Sequence, residues 1–155
     1  MTTKTEYMQR LWKRYEDEND HLPTSAREVV AWAVKEKLLQ MPVVDPLDVL
    51  AGQMARALRE EYDTDNQGRR YRKNHAVRVM KNGVQLTLWG IMEHAPRLHM
   101  AKAFSQRREQ VIGDLSQLKI DVDVYNEKNA QEQPIQLVLD FTDDVAEREI
   151  NNKAA

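Results

Sequence analysis

The sequence predicts a mainly α protein carrying one β-hairpin, and three observations lead there. Three helical patterns, the second and third with recognisable starts, occupy the first 62 residues, Asn82-Gly83 separates two alternating apolar runs, and a seven-residue apolar repeat runs through about 97–127. Apolar residues three and four apart line one face of a helix, and alternation lines one face of a strand. Asn-Gly suits the two φ > 0 residues of a type I′ hairpin turn.

A first helix is expected over residues 3 to about 18, where Tyr7/Met8, Leu11/Trp12 and Tyr15 recur at helical spacing. Ser25 with Glu28 three residues later is a capping-box pattern and opens a second helix. Its apolar stripe is Val29, Val30, Ala33, Val34 and Leu38, and the region ends by Pro42. The third helix takes Asp45 as N-cap and Pro46 at its first position, where a missing N–H costs nothing. Leu47, Leu50, Met54, Ala57, Leu58 and Tyr62 supply its apolar face, and a loop over 63–68 follows.

With the turn at Asn82-Gly83, Lys81 pairs with Val84, Val79 with Leu86 and Val77 with Leu88. The last two pairs make an apolar face for a core. Ala76, Arg78, Met80, Gln85, Thr87 and Trp89 make the opposite face, suited to water or a partner.

After Pro96 comes the longest helical pattern. Phe104, Val111, Leu118 and Tyr125 recur every seven residues, with Ala101, Leu115 and Val122 interleaved and Arg108 interrupting. Packing against the domain is expected for this stripe; a homodimer through residues 101–125 is the alternative, though Arg108 and Gly113 spoil a clean zipper. The helix is basic first (Arg97, Lys102, Arg107, Arg108) and acidic later (Asp114, Asp121, Asp123, Glu127), the reverse of what the helix dipole favours. A tertiary or external partner is expected to offset that arrangement. Residues 126–133 read as a polar linker, 135–141 alternate as a short strand, and 142–149 form a capped acidic helix.

Charge is distributed unevenly. Residues 66–108 hold ten Lys/Arg and one acid, Glu93, a net +9, whereas residues 109–155 hold four Lys/Arg and eleven acids, a net −7. A block so basic is the footprint of a polyanion partner. It can also pair internally with the acidic tail. There is no cysteine, which removes disulfide and thiolate chemistry, and no P-loop, Rossmann glycine pattern, G-x-S-x-G or His-Glu-x-x-His. No catalytic residue, metal site or cofactor is expected. No apolar run approaches a membrane span and the N-terminus lacks a signal-peptide core, so a cytoplasmic protein with no membrane association is expected.

The order helix, helix, helix, basic hairpin resembles a winged helix-turn-helix domain. Within that class it is similar to the HARE-HTH family of transcription factors and restriction systems. The resemblance rests on residues 27–39 (REVVAWAVKEKLL), Asp45-Pro-Leu, Arg72 and the strand Val84–Leu88, and covers roughly residues 22–91. It implies a winged-helix-like core over 3–92, followed by a helical extension with an acidic tail over 97–150. One departure bears on function: the third helix exposes Asp48, Glu60 and Glu61 beside Gln53, Arg56 and Arg59, poor chemistry for reading a major groove. DNA contact is therefore expected on the hairpin and the next helix, at Arg69, Arg70, Arg72, Lys73, Arg78, Lys81, Lys102, Arg107 and Arg108, with Tyr71 or Trp89 available to stack. The alternative is a protein-interaction scaffold, with residues 134–150 docking on a protein partner or masking the basic hairpin.

Overall fold

Nine elements follow one another in the computed structural model, which describes residues 1–154. They are α1 (Lys4–Glu18), α2 (Ala26–Lys35), α3 (Pro46–Glu60), β1 (Tyr62–Thr64), β2 (Arg70–Arg72), β3 (Asn74–Lys81), β4 (Val84–Ile91), α4 (Arg97–Lys128) and α5 (Thr142–Ala154). The chain is mainly helical with two small antiparallel sheets, β1–β2 and β3–β4. Its contacts divide it into two units, Met1–Val49 and Leu50 onward, with the boundary inside α3. No helix among the described residues is long and apolar enough to cross a membrane.

In the first unit α1 opens on a full capping box: Thr3 Oγ1 accepts from the Glu6 amide and the Glu6 carboxylate accepts from the Thr3 amide. At α2 only half of the expected box forms. Ser25 Oγ accepts from the Glu28 amide, but the Glu28 carboxylate takes the hydroxyl of neighbouring Thr24 instead of returning a bond to Ser25. Leu11, Val29 and Ala33 are buried, and Tyr15 meets Trp32 edge to face at 5.3 Å. Lys37 takes a left-handed φ of 60° that ends α2, so Leu38 lies beyond the helix and its carbonyl accepts from the Tyr7 hydroxyl at 2.9 Å.

In the second unit α3 ends at Glu60, earlier than its apolar pattern suggests, and Tyr62 begins β1. The expected loop at 63–68 is the turn of the β1–β2 hairpin, built on Asp65. That carboxylate accepts from the amides of Gln67 and Arg69 and from the Arg69 guanidinium, which holds it below the usual carboxylate range. Gly68, at φ 77°, completes the turn.

The β3–β4 hairpin has the expected register, Lys81 with Val84, Val79 with Leu86 and Val77 with Leu88. Asn82 and Gly83 have φ of 53° and 76°, as a type I′ turn requires. The apolar face is covered on the β3 side only: Val77 is buried, whereas Leu86 and Leu88 are exposed. The cause is α4, which packs on β3 and buries Met100 and Ala103. His99 Nε2 donates to the His75 carbonyl at 2.9 Å, and the His75 and Phe104 rings meet edge to face at 5.4 Å.

Two expectations about the C-terminal half are overturned. The α4 stripe does not pack on its own domain: Val111, Leu118 and Tyr125 stay exposed because the hairpin meets only the first part of the helix. Residues 135–141 form no strand, since no other strand runs beside them to complete a ladder. The Asn126 amide group holds the segment instead, bonding both the N–H and the C=O of Ile135 at 2.9 and 3.0 Å. The acidic helix does form, as α5, with Asp140 accepting from the Thr142 amide.

Candidate nucleic-acid interface

Arg78 and Ala76 of β3 share a face with Thr87 and Trp89 of β4, the face that the alternation leaves for water or a partner. In the structure these residues form part of a cleft of about 280 Å³. The last turn of α3 contributes Arg59, β2 contributes Arg72, the start of β3 contributes Asn74 and His75, and α4 contributes Gln106, Arg107 and Gln110. Four guanidiniums line the cleft and no carboxylate does. Like charges gathered without counter-ions repel, and a bound anion relieves that repulsion.

Each wall is held by specific bonds. Buried Asn74 donates from Nδ2 to the Leu58 carbonyl at 3.1 Å and to the Glu61 carboxylate at 2.8 Å, tying the end of α3 to the start of β3. The Lys73 amide reinforces this joint by donating to the Glu61 carbonyl at 3.1 Å. Arg59, on that last turn, lies 5.5 Å over the Trp89 ring. Buried His75 donates from Nε2 to the Arg72 carbonyl at 2.8 Å. Burial is the main cause holding its pKa below the ordinary 6.5; the hydrogen bond to the Arg72 carbonyl opposes it, and the charges of Arg107, Arg72 and His99 add to it. The Gln106 amide group bonds the Arg78 backbone twice and sets the helix that carries Arg107.

Of the nine cations expected to contact DNA, Arg72, Arg78 and Arg107 are brought together here. Arg69 is committed to Asp65 at 2.6 Å, and Arg70 lies 4.1 Å over the Tyr62 ring. Lys73, Lys81, Lys102 and Arg108 are not in the cleft lining. The Tyr71 hydroxyl donates to Glu93 at 3.0 Å, which raises its pKa, and Trp89 faces a guanidinium. Arg59 is the residue that sequence reasoning misses, because its acidic neighbours Glu60 and Glu61 mask it. The one signal was that it is a cation in the last turn of the helix that precedes the basic stretch. Asn74, His75, Gln106 and Gln110 carry no such signal.

Among the described residues no group of three or more His, Asp or Glu is placed to hold a metal ion. Comparison with protein-family models, curated proteins and solved structures finds no match for this chain.

Proposed function

We propose that this protein binds DNA without catalysing a reaction, as a regulator or accessory factor. Arg72 and Arg78 of the basic strands and Arg107 of the following helix hold backbone phosphate, with Arg59 as a fourth contact. The observation that carries this reading is the cleft with four arginines and no acid. Guanidiniums match phosphate oxygens in pairs, and such contacts fix position on a duplex without reading its sequence. In this reading β3–β4 acts as the wing of a winged-helix domain and α3 does not enter a groove.

The test is binding of the full chain to a labelled random-sequence duplex across a salt series. Each phosphate contact should add about −0.9 to the slope of log affinity against log salt, so three to four contacts predict roughly −3. Arg72→Ala with Arg78→Ala should cut affinity at least tenfold and flatten the slope by about 2, while Arg69→Ala leaves both nearly unchanged. No binding at low salt, by the folded full chain and by folded chain truncated after Asn129 alike, would defeat the reading and leave a protein partner as the alternative. The exposed apolar side chains of Ile135 and Val138 favour that second reading.

A further inference from the structure

An apolar stripe of the second unit stays partly uncovered along α4, beginning at Phe104, which touches His75 of the hairpin. Phe104, Val111, Leu118 and Tyr125 are each between 44% and 55% exposed, along a helical stretch of about 32 Å. The bonded attachment of α4 to the hairpin reaches as far as Gln106. Beyond it the helix carries bonds such as Gln117 to Asp121 and Lys119 to Asp123 along its own surface. Most helical stability in proteins comes from packing an apolar face, and pairs of this kind add only about 0.2–0.5 kcal/mol each. Along this continuous helix Leu115 and Val122 are half-buried while Phe104, Val111, Leu118 and Tyr125 stay exposed, which leaves apolar area for a partner to cover.

The charge pattern identifies which partner. The first half of α4, residues 97–112, holds Arg97, Lys102, Arg107 and Arg108 with Glu109, a net +3, and the second half, 113–128, holds Asp114, Asp121, Asp123 and Glu127 with Lys119 and Lys128, a net −2. Two copies laid parallel would set basic half against basic half and acidic against acidic. Two copies laid antiparallel set each basic half against an acidic one, and one two-fold axis satisfies both at once.

We infer that the chain forms a homodimer in which two copies of α4 pair antiparallel and cross near Gly113. The apolar repeat fixes the register: Val111 faces Leu115 of the second copy, Phe104 faces Val122, and Ala101 faces Tyr125. The same register places Arg108 opposite Leu118 of the second copy, within about one helical turn of its Asp114 and Asp121. Arg108 interrupts the stripe when the helix is read alone, and here it becomes the residue that fixes orientation. Within its own chain its ion pair is a 3.9 Å contact with Glu109, and both side chains are about three-quarters exposed, at 76% and 72%. The guanidinium is therefore available to a second copy. Polar residues at such seam positions specify register and orientation.

The absence of native cysteine makes disulfide trapping unambiguous. Full-length Ala101→Cys and Tyr125→Cys variants, oxidised separately and as a mixture, report the direction of pairing; both positions lie off the cleft lining. In the antiparallel dimer each variant alone keeps its own thiols about 36 Å apart along the helix, so only the mixture cross-links. Light scattering on the wild-type chain should give twice 18.1 kDa at micromolar concentration. Arg108→Glu should raise the dimer dissociation constant at least tenfold, and adding Asp121→Arg should restore most of the loss. Cross-linking by each variant alone would mean parallel pairing and overturn the inference. A monomeric mass with no mixed cross-link, in protein whose circular dichroism is unchanged, would overturn it as well. Neither readout depends on DNA, so the result stands apart from the proposed function.

Discussion

The Gln106 side chain occupies the place of a neighbouring strand on the outer edge of β3. Its Oε1 accepts from the Arg78 amide at 2.8 Å and its Nε2 donates to the Arg78 carbonyl at 2.9 Å. Arg78 stands opposite Thr87, at a rung where the backbone groups of β3 point away from β4. One side-chain amide thus closes an edge rung and anchors the helix that bears Arg107. Gln106→Ala should cost about 1–2 kcal/mol, the net worth of two hydrogen bonds, measured by urea denaturation. Gln106→Glu should cost more, because a carboxylate accepts from the Arg78 amide but repels its carbonyl. If the two substitutions prove equally mild, the clamp is not what holds α4.

Gly90 sits where β4 passes under the start of α4. A Cβ there would lie 3.0 Å from both the Ala95 Cβ and His99 Nε2. Gly90→Ala must push His99 away from the His75 carbonyl, so a loss of about 1–3 kcal/mol is expected. Gly113→Ala, where the added methyl meets nothing within 4 Å, should instead be neutral or stabilising by up to about 1 kcal/mol. Thermal unfolding of the two variants, side by side, separates packing from propensity. Equal melting temperatures would mean that the contact at Gly90 relaxes freely.

Much of this arrangement was legible in the sequence, and the rest was not for definite reasons. Local chemistry gave the Asn82-Gly83 turn, the pairing of Val77 with Leu88, the Pro46 helix start and the long helix after Pro96, because each depends on residues close in the chain. The end of α3 and the β1–β2 turn were misread because Tyr62 fits a helical stripe as well as a strand. Asp65, which organises that turn, resembles any loop acid. The strand expected at 135–141 failed for a different reason: alternation describes a strand's faces, but a strand exists only beside another. At the candidate site the basic stretch pointed to the right region, yet it gave equal weight to Arg69 and Arg72. Only the fold shows that one is spent on Asp65 and the other lines the cleft.

His75 gives the second unit a pH dependence with a definite sign. Its folded pKa lies below the ordinary 6.5, so near and below that pH the unfolded chain binds a proton that the folded imidazole refuses. Its contribution to stability is complete above about pH 6.5 and is lost as the pH falls below it. The melting temperature should therefore drop between pH 7.5 and 5.5. His75→Gln cannot gain that proton and should flatten this part of the profile. A wild-type melting temperature that is level across the range would mean that His75 takes up its proton without disturbing the fold.

The acidic tail should oppose DNA binding. Residues 130–155 hold six Asp/Glu and two Lys/Arg, so removing them shifts the chain from −2 to +2. That change alone raises affinity for a polyanion at low ionic strength, because the summed field of a protein acts beyond its contacts. Ile135 is bonded to Asn126, twenty residues and about 30 Å along α4 from Gln106. In the antiparallel dimer, residue 126 of one copy lies near residue 100 of the other, where the hairpin packs. That register would bring the tail of each copy toward the basic hairpin of its neighbour. Truncation after Asn129 should therefore tighten duplex binding several-fold, with the gain shrinking as salt approaches the range where the Debye length falls below about 8 Å. Arg108→Glu, which separates the copies, should reproduce part of the gain in the full-length chain despite adding negative charge. Truncated, folded protein that binds no better than the full chain would show that the tail neither masks the cleft nor weighs on it through its charge.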